Sequence, residues 1–268
     1  MRDRGQQLDE EQARAMLTEP NAALRRFRAF WRSLPGTPRC KTCTAPLGGP
    51  AGTMLRLIGK GPWPANPRYC RWCFKDLYTK RAGAEIDCTL LFADVRGSTQ
   101  LAESMTPGEY RGVIDRFYQT ALDVLIAHEA IVDNFVGDEV VAIFVPALTG
   151  GLHAQQAIDA GLQLLRRTGH AEAPWIPIGV GVNTGRAYVG AVGSEDHVEF
   201  TALGDAVNVA ARLASAAATG ELLAADSTAR AAELDVSGLE QRRLDLKGRT
   251  ATTDAVVLKV VAAEAALA

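Results

Sequence analysis

The sequence lacks any long apolar run: no window of its 268 residues approaches 18 uncharged apolar positions. The first 20 positions carry charged side chains from Arg2 to Glu11. Neither a membrane-spanning helix nor a secretory signal is therefore expected, and the cytoplasm is the expected compartment. Internal repeats are absent, and the one low-complexity tract is the alanine-rich tail after Val261. Hydrophobic residues make up 47% of the chain and charged residues 22%, which allows a sizeable core and excludes wholesale disorder.

The small net charge of -2 conceals two oppositely charged parts of the chain. Residues 1–83 hold 16 Lys and Arg against 6 Asp and Glu, whereas residues 84–268 hold 13 against 25. This shift predicts a domain boundary near Gly83. A basic N-terminal part suits contact with nucleic acid or an anionic membrane, and it equally suits docking on the acidic part of its own chain. Charge leaves these alternatives open.

Four of the five cysteines lie in the basic part. Cys40 and Cys43 form one C-x-x-C motif, Cys70 and Cys73 form a second, and 26 residues separate the two. In a reducing cytosol these motifs predict four thiolates around one metal rather than disulfides. A structural Zn(II) is favoured because four thiolates complete its tetrahedron and help a small module to fold, although an iron–sulfur cluster takes the same ligands. Cys88 lies in an apolar strand and is expected in the core.

The segments around these motifs suggest a module with little regular structure. The residues between the motifs are rich in Gly and Pro, which predicts a loop stapled by the metal with little core of its own. Ahead of them, residues 8–30 predict one or two helices interrupted near Pro20, and residues 75–81 predict a linker helix. The arginines of the first segment, Arg25, Arg26, Arg28 and Arg32, predict a solvated basic face. The predicted domains are residues 1–39 (helical segment), 40–83 (four-cysteine module and linker helix), 84–262 (large domain) and 263–268 (tail).

From Glu85 onward the apolar periods are regular. Residues 88–92 are typical of a buried strand, and Thr106, Pro107 and Glu109 predict a capping box at the start of a helix. The later predicted segments are strands 131–136 and 140–145, helix 152–167, a hairpin of strands 176–182 and 187–192 turning at Asn183–Gly185, helix 205–217, and strands 221–224, 242–246 and 255–260. This order predicts an α+β fold, a ferredoxin-like βαββαβ sheet with helices on one face and additional C-terminal strands, preceded by the small helical and metal-stapled module.

Two aspartates lie where this fold would bring them together. Asp94 leaves the end of the first strand of the sheet, and Asp138 lies in the turn between the next two. Because the first strand is expected beside that hairpin, the two carboxylates can converge on hard cations such as Mg(II). After Asp94, the loop of Arg96, Gly97, Ser98 and Thr99 presents backbone N–H groups that suit a phosphate.

Five motifs occur in order between residues 88 and 260. They are Leu91–Thr99 (LFADVRGST), Phe135–Asp138 (FVGD), Gly179–Gly185 (GVGVNTG), Thr201–Arg212 (TALGDAVNVAAR) and Leu246–Gly248 (LKG). Together they closely resemble the catalytic domain of class III nucleotidyl cyclases, the family that makes cyclic AMP or cyclic GMP. Five ordered segments are far more specific than any one of them.

The resemblance implies roles for the matching residues. Asp94 and Asp138, helped by the carbonyl of Val95, would bind two Mg(II) or Mn(II) ions that activate the ribose 3′-hydroxyl and steady the triphosphate. Asn208 and Arg212 lie four residues apart on one helix, so both can point into one site. Asn208 would hold the ribose, and Arg212 would stabilise charge on the α-phosphoryl oxygens. The resemblance further implies that Lys247 contacts the outer phosphates.

Base recognition is where the chain departs from the family's pattern. Adenylate cyclases usually carry Lys at the position of Asn134, and Thr201 occupies their other base-reading position as a known variant that can accept from the adenine amino group. An Asn amide can donate to adenine N1 or to guanine O6. We expect an adenylate cyclase that converts ATP to 3′,5′-cyclic AMP and pyrophosphate, with a guanylate cyclase or a weak or silent ATP-binding signalling protein as alternatives.

The resemblance also implies a homodimer. In the family, the metal aspartates of one subunit and the Asn/Arg helix of the other complete each of two sites, and this chain keeps both halves. The N-terminal module would then regulate the enzyme or set the dimer. The turn Gly137-Asp138-Glu139 superficially resembles that of diguanylate cyclases, but Val136 stands where those need a glycine, and they lack the Asn/Arg helix.

Overall fold

The computed structural model describes residues 8–194, 198–245 and 252–260. The chain forms two compact units, each of which is assembled from separate stretches of sequence. Unit 1 contains Met1–Ile86, Pro146–Gly150 and Tyr188–Ala202, and unit 2 contains Asp87–Val145, Gly151–Ala187 and Leu203–Ala268. Within the described ranges, no helix is both long enough and apolar enough to cross a bilayer.

Unit 1 begins with two helices, as the sequence predicts. Helix α1 (Glu10–Thr18) and helix α2 (Ala22–Ser33) are separated at Pro20, which cannot continue a helix. Asp9 and Gln12 form a capping box at the start of α1, and the side chain of Asn21 accepts from the Leu24 N–H at 2.9 Å to cap α2.

The predicted basic face of α2 is correct for Arg25 and Arg26, which are exposed, and wrong for Arg28. Arg28 is 1% exposed, and its guanidinium donates to the carbonyl of Thr42 between the first two cysteines. Burial of this charge is compatible with folding because it has acceptors there. Contact of the basic part with nucleic acid or an anionic membrane stays a prediction.

The stretch between the two C-x-x-C motifs is structured, so the prediction of a loop with little core is wrong. It forms helix α3 (Gly49–Leu57) and the antiparallel strands β1 (Pro62–Trp63) and β2 (Asn66–Cys70), and helix α4 (Arg71–Lys80) follows. Pro50 suits the first turn of α3, where a missing N–H costs nothing. The apolar side chains Trp31, Ala45, Leu47 and Leu55 pack with Cys40, Cys43 and Cys70 into a small core. The glycines and prolines thus mark the ends of these elements.

The remaining elements follow in the predicted order, with additions. They are β3 (Gly83–Val95), α5 (Ser98–Glu103), α6 (Pro107–Ala127), β4 (Ile131–Val136), β5 (Glu139–Phe144), α7 (Pro146–Thr149), α8 (His153–Arg167), β6 (Ile178–Gly193), β7 (Val198–Leu203), α9 (Asp205–Ala216), β8 (Glu221–Ala225), α10 (Asp226–Ala231), β9 (Gln241–Leu244) and β10 (Thr253–Lys259). The predicted capping box of Thr106 and Glu109 starts α6. Cys88 is fully buried, as expected, and burial raises the pKa of its thiol to about 12.

The α+β prediction is confirmed. The strand order of the large sheet is β4-β5-β3-β6-β8-β10-β9, with β7 paired to β6. The sequence β3-α6-β4-β5-α8-β6 is a βαββαβ unit, and its four strands have the order of a ferredoxin-like sheet. Helices α6 and α8 share the main core with one face of the sheet.

The prediction that the helices cover one face of the sheet is wrong for helix α9, which packs on the face opposite to α6 and α8. Val180 and Val182 of β6 face the main core, whereas Gly181 between them faces α9. A Cβ atom at Gly181 would lie 2.1 Å from the backbone nitrogen of Ala214. The absent side chain therefore lets α9 approach the sheet closely.

The predicted hairpin at Asn183–Gly185 is wrong, because β6 runs through this position without a turn. The Asn183 amide donates to the carbonyl of Ala206 at 2.9 Å, and the Thr184 N–H donates to Thr228 Oγ1 at 2.8 Å. These partners satisfy the polar groups that would otherwise favour a local turn. Strand β6 instead pairs with β7, the next strand in the sequence.

Candidate functional site

The two predicted metal aspartates are neighbours in unit 2. Strands β3 and β5 are antiparallel, and their register pairs Asp94 with Glu139. One position further along, the Val95 N–H donates to the carbonyl of Asp138 at 3.3 Å. Both aspartates are partly exposed at this end of the sheet. Sheet pairing therefore brings the backbones of the two aspartates together, as the sequence predicts.

The turn that carries Asp138 is held in a defined shape. Gly137 has a positive φ of 62°, a left-handed conformation that favours glycine. The hydroxyl of Tyr118 on α6 donates to the carbonyl of Gly137. Burial raises the pKa of Tyr118, and the negative charge of Asp138 raises it further. The turn thus packs against α6, with the charge of Asp138 close enough to influence Tyr118.

The sequence predicts a role for the backbone N–H of Arg96 but not for its side chain, which the structure places at the site. Its guanidinium forms an ion pair with Asp94 and donates to the carbonyl of Ser215 in α9 at 2.8 Å. Burial lowers the pKa of Arg96, and the charges of Asp138 and Glu139 oppose that shift. The sequence feature that could have indicated this role is the position of Arg96, two residues after the expected metal ligand Asp94.

The donor set fits a hard divalent cation. Two carboxylates on neighbouring strand ends, with a backbone carbonyl at Val95, are the oxygen ligands that Mg(II) and Mn(II) prefer. The ion pair between the Arg96 guanidinium and Asp94 shows that the Asp94 carboxylate attracts a cation. Asp94, Asp138 and Val95 are therefore the residues that could hold such an ion.

The loop that follows Asp94 in the sequence carries backbone N–H donors. Gly97 has a φ of 64° and precedes the short helix α5, without a side-chain cap. Ser98 and Thr99 form the first turn of α5, where N–H groups lack acceptors within the helix. Their predicted contact with phosphate stays a prediction.

Helix α9 presents the predicted Asn/Arg pair on its outer face. Val209 and Leu213 are buried against β8 and β10, whereas Asn208 is exposed and Arg212 is partly exposed. Among the residues that the structure describes, Arg212 forms no salt bridge. An arginine with this placement is available to an external anion.

The base-reading candidates occupy two different strands. Asn134 is exposed in β4 beside a bulge, and its side-chain oxygen accepts from the Phe135 N–H at 3.0 Å. Thr201 is half-buried in β7. Lys247 lies outside the described residues.

The four predicted metal cysteines converge in unit 1. The Sγ atoms of Cys40, Cys43, Cys70 and Cys73 all lie within 4.8 Å of one another. The Sγ atoms of Cys43 and Cys70 are 3.8 Å apart. A tetrahedral zinc ion with bonds of about 2.3 Å to sulfur requires sulfur–sulfur distances of about 3.8 Å. The cysteines therefore fit one tetrahedral ion, which is a more compact arrangement than several irons with separate thiolate ligands need.

Backbone donors surround this cysteine cluster. The Cys70 N–H donates to Cys40 Sγ at 3.3 Å, and the Cys73 N–H donates to Cys70 Sγ at 3.4 Å. Hydrogen bonds from the neighbouring thiols, that of Cys40 first, hold the pKa of Cys70 well below its usual value. Arg39 braces the cluster from outside, because its guanidinium donates to carbonyls at the end of α2 and to that of Thr44.

Comparison with known proteins places most of the chain in one family. The family model for the adenylate and guanylate cyclase catalytic domain matches residues 81–259. An adenylate cyclase of Anabaena cylindrica is 33% identical over 131 residues, which cover 47% of this chain and 26% of that protein. An uncharacterised protein of Mycobacterium tuberculosis is 33% identical over 155 residues, which cover 57% of this chain and 27% of that protein. The matches thus span about a quarter of these relatives.

Solved structures agree with this family assignment. The guanylyl cyclase Cya2 is 28% identical, with a TM-score of 0.59, over 65% of this chain and 92% of that chain. The adenylyl cyclase CyaB from P. aeruginosa shares the fold at 24% identity and a TM-score of 0.58, over 66% of this chain and 96% of that chain. Because similar structures bear both names, the choice of base must be argued from the site.

Proposed function

Because this chain belongs to the adenylate and guanylate cyclase catalytic domain family, we propose that it is an adenylate cyclase that converts ATP to 3′,5′-cyclic AMP and pyrophosphate. The observation that carries this proposal is the pairing of the Asp94 strand end with the Asp138 turn. The outward-facing pair of Asn208 and Arg212 on α9 supports it, because cyclisation also needs groups for the ribose and the α-phosphate.

The proposed mechanism relies on positioning and charge stabilisation. Asp94 and Asp138 would hold two Mg(II) or Mn(II) ions, with the carbonyl of Val95 as a further ligand. Such ions, when bound, favour deprotonation of the ribose 3′-hydroxyl and neutralise the triphosphate. The 3′-oxygen then bonds to the α-phosphorus as the bond between the α-phosphorus and the oxygen that bridges to the β-phosphate breaks. Pyrophosphate leaves, and the hydroxyl proton passes to solvent. Asn208 would orient the ribose, and Arg212 would stabilise negative charge growing on the α-phosphoryl oxygens.

The base-reading residues favour adenine. The Thr201 hydroxyl can accept a hydrogen bond from the adenine amino group, which guanine lacks at that position. The Asn134 amide can donate to adenine N1 as well as to guanine O6, so it adds little selectivity. Asn134 also lacks the positive charge of the usual Lys, which favours weak or silent activity as the alternative.

We expect purified protein with Mn(II) or Mg(II) to produce cyclic AMP from ATP faster than cyclic GMP from GTP, because Thr201 accepts from adenine. Separation of the products by liquid chromatography measures both reactions under one set of conditions. A preference for GTP would establish the guanylate cyclase alternative. No cyclic product from either nucleotide, with binding retained, would establish the silent alternative.

We also propose that the enzyme is a homodimer with two shared sites. The exposure of Asn208 and the position of Arg212 on the outer face of α9 support a partner that approaches this face. In such an arrangement α9 of one subunit would complete the aspartate site of the other. The N-terminal module would regulate the enzyme or set the dimer.

The four cysteines are proposed to bind one structural Zn(II). Metal analysis should then find about one zinc per chain, and Cys40→Ser should remove most of it because the tetrahedron loses a thiolate. Proteolysis should also cut Cys40→Ser faster within residues 40–80, because the small core there packs directly on the cysteines. Cys88→Ser is the matched control, since Cys88 lies in β3 and should leave the zinc content unchanged. A brown protein with iron and sulfide would contradict the zinc assignment.

A further inference from the structure

A glutamate on β7 is held by three side chains from the cysteine module of unit 1. The Tyr69 hydroxyl donates to Glu199 Oε2 at 2.8 Å, and Asn66 Nδ2 donates to Glu199 Oε1 at 2.6 Å. Lys41 Nζ lies 3.5 Å from Glu199 Oε2. These three residues and Glu199 are called the Glu199 clamp below. No catalytic step proposed above uses it.

The partners of Glu199 are adjacent to the proposed zinc ligands. Lys41 follows Cys40, and Tyr69 precedes Cys70. The side chain of Lys41 is 3% exposed, and Tyr69 is fully buried. The Lys41 N–H also donates to the carbonyl of Arg68 at 2.9 Å, which ties the two cysteine segments together. The positions of Lys41 and Tyr69 are therefore fixed by the same segments that form the cysteine cluster.

The contact reaches the backbone of β7 as well as the Glu199 side chain. The Phe200 N–H donates to the Tyr69 hydroxyl oxygen at 3.0 Å. Burial alone would raise the pKa of Glu199. The hydrogen bonds from Tyr69 and Asn66 and the charge of Lys41 together outweigh that effect, so the net pKa lies below its usual value. The carboxylate is therefore charged at neutral pH, and its contacts are the strong, charge-assisted kind.

Glu199 and Thr201 share one face of β7. Side chains two positions apart on a strand point the same way, about 7 Å apart along it. Both residues are partly exposed, whereas Val198, Phe200 and Ala202 on the other face are buried. β7 lies off the main strand order, with β6 as its sheet partner. The clamp thus supplies an anchor for β7 one strand repeat from the proposed base-reading residue.

We propose that Glu199 is a positioning residue for base selection: the Glu199 clamp fixes β7 so that Thr201 meets the adenine amino group. The metal-bound state of the cysteine cluster would then control nucleotide selectivity through Lys41 and Tyr69. This inference rests on the proposed function, because it needs Thr201 to read the base. A displacement of about 1 Å is enough to weaken such a hydrogen bond severely, since its geometry is strict.

Glu199→Gln tests this role with a nearly isosteric change. It removes the charge that attracts Lys41 while keeping the size of the side chain. We expect the KM for ATP to rise about tenfold and the ATP/GTP selectivity to fall about tenfold, with kcat changed less than about threefold, because binding geometry and not chemistry is altered. Zinc content should stay at the level of the unaltered protein. Tyr69→Phe should act in the same direction, because it removes the bonds to Glu199 and Phe200 but keeps the ring. Glu172→Gln, at an exposed turn position, is the matched control.

A double-mutant cycle separates positioning from general stabilisation. If Glu199 acts through Thr201, Thr201→Val should lower selectivity, and adding Glu199→Gln should lower it no further. Cys40→Ser should reduce selectivity to the level of Glu199→Gln, again without an additional effect in the double variant. Additive losses, or a lower melting temperature with unchanged ATP/GTP selectivity, would overturn the proposal.

The same double-mutant cycle can be measured by the binding of ATP and GTP, and this measurement separates the inference from the proposed function. If the unaltered protein binds ATP and GTP without turnover, the ratio of their dissociation constants replaces the kinetic selectivity. A cycle that is non-additive in binding then supports the clamp although the cyclase proposal fails. Unaltered selectivity in Glu199→Gln, in an active enzyme, overturns the clamp and leaves the cyclase proposal intact. Failure of the unaltered protein to bind either nucleotide contradicts both.

Discussion

Asp138→Asn is expected to lower cyclic AMP production at least about a thousandfold, because loss of one metal-binding carboxylate removes about 4 kcal/mol of transition-state stabilisation. Asn keeps the size and hydrogen-bonding capacity of the side chain. The Gly137 conformation and the Tyr118 contact, which use backbone groups of the turn, should also persist. The variant should therefore fold normally and retain its melting temperature, while initial rates across a range of Mn(II) concentrations report the loss.

Asp123→Asn is the matched control for this substitution. Asp123 lies on α6, is more than half exposed, and faces Arg167 at 3.9 Å. A surface ion pair of this kind contributes at most about 1 kcal/mol, so activity should be nearly unchanged. Asp94→Asn should match Asp138→Asn in its loss. Substantial turnover by either site variant would refute the assignment of these carboxylates as metal ligands.

Local patterns predicted most of the large sheet and its helices. The capping box at Thr106 and Glu109 is read within four residues, and it starts α6 as expected. The prediction failed at Asn183, whose amide finds the carbonyl of Ala206, 23 positions away. A polar Asn-Thr-Gly segment favours a turn only while its groups lack such partners. The sequence carries no local signal for that contact.

The cysteine module shows the same limit from another direction. The grouping of its four cysteines was predictable because C-x-x-C spacing is a local property, and the four Sγ atoms do converge. Its helix α3 was not, because Leu55 is the one buried apolar side chain of that Gly- and Pro-containing helix and becomes informative only beside Trp31 and Leu47. Arg28 was misread for a related reason: its acceptor, the carbonyl of Thr42, lies outside the helix that carries it.

The sequence motifs identify the candidate catalytic residues, but they do not show which other residues surround them. Pairing of β3 with β5 explains why Asp94 and Asp138 are neighbours, and the motif lengths alone do not contain that register. The side chain of Arg96 was overlooked because its partners include Ser215, 119 residues later. Glu199 contacts residues 130 or more positions away, so only the folded chain reveals it.

Mixing two inactive variants should restore activity if the proposed sites are shared between subunits. Asp94→Asn carries the lesion in the aspartate half of the site, and Arg212→Ala carries it in the α9 half. A heterodimer of the two then contains one site with both lesions and one intact site. Random exchange makes half of the dimers heterodimers, so the mixture should reach about a quarter of the activity of the unaltered protein.

A second mixture controls for this recovery. Asp94→Asn and Asp138→Asn both damage the aspartate half, so every site in their heterodimer keeps one lesion and no activity should return. Native mass spectrometry of a tagged and an untagged variant establishes that subunits exchange in both mixtures. The comparison is informative because Arg96 pairs with Asp94 and also donates to Ser215 of α9 in the same chain. These two contacts bring part of α9 near the aspartates without a second subunit. If that proximity formed the working site, Asp94 and Arg212 of the same chain would act together. Every subunit of the first mixture would then stay inactive despite exchange, and the shared-site proposal would be wrong.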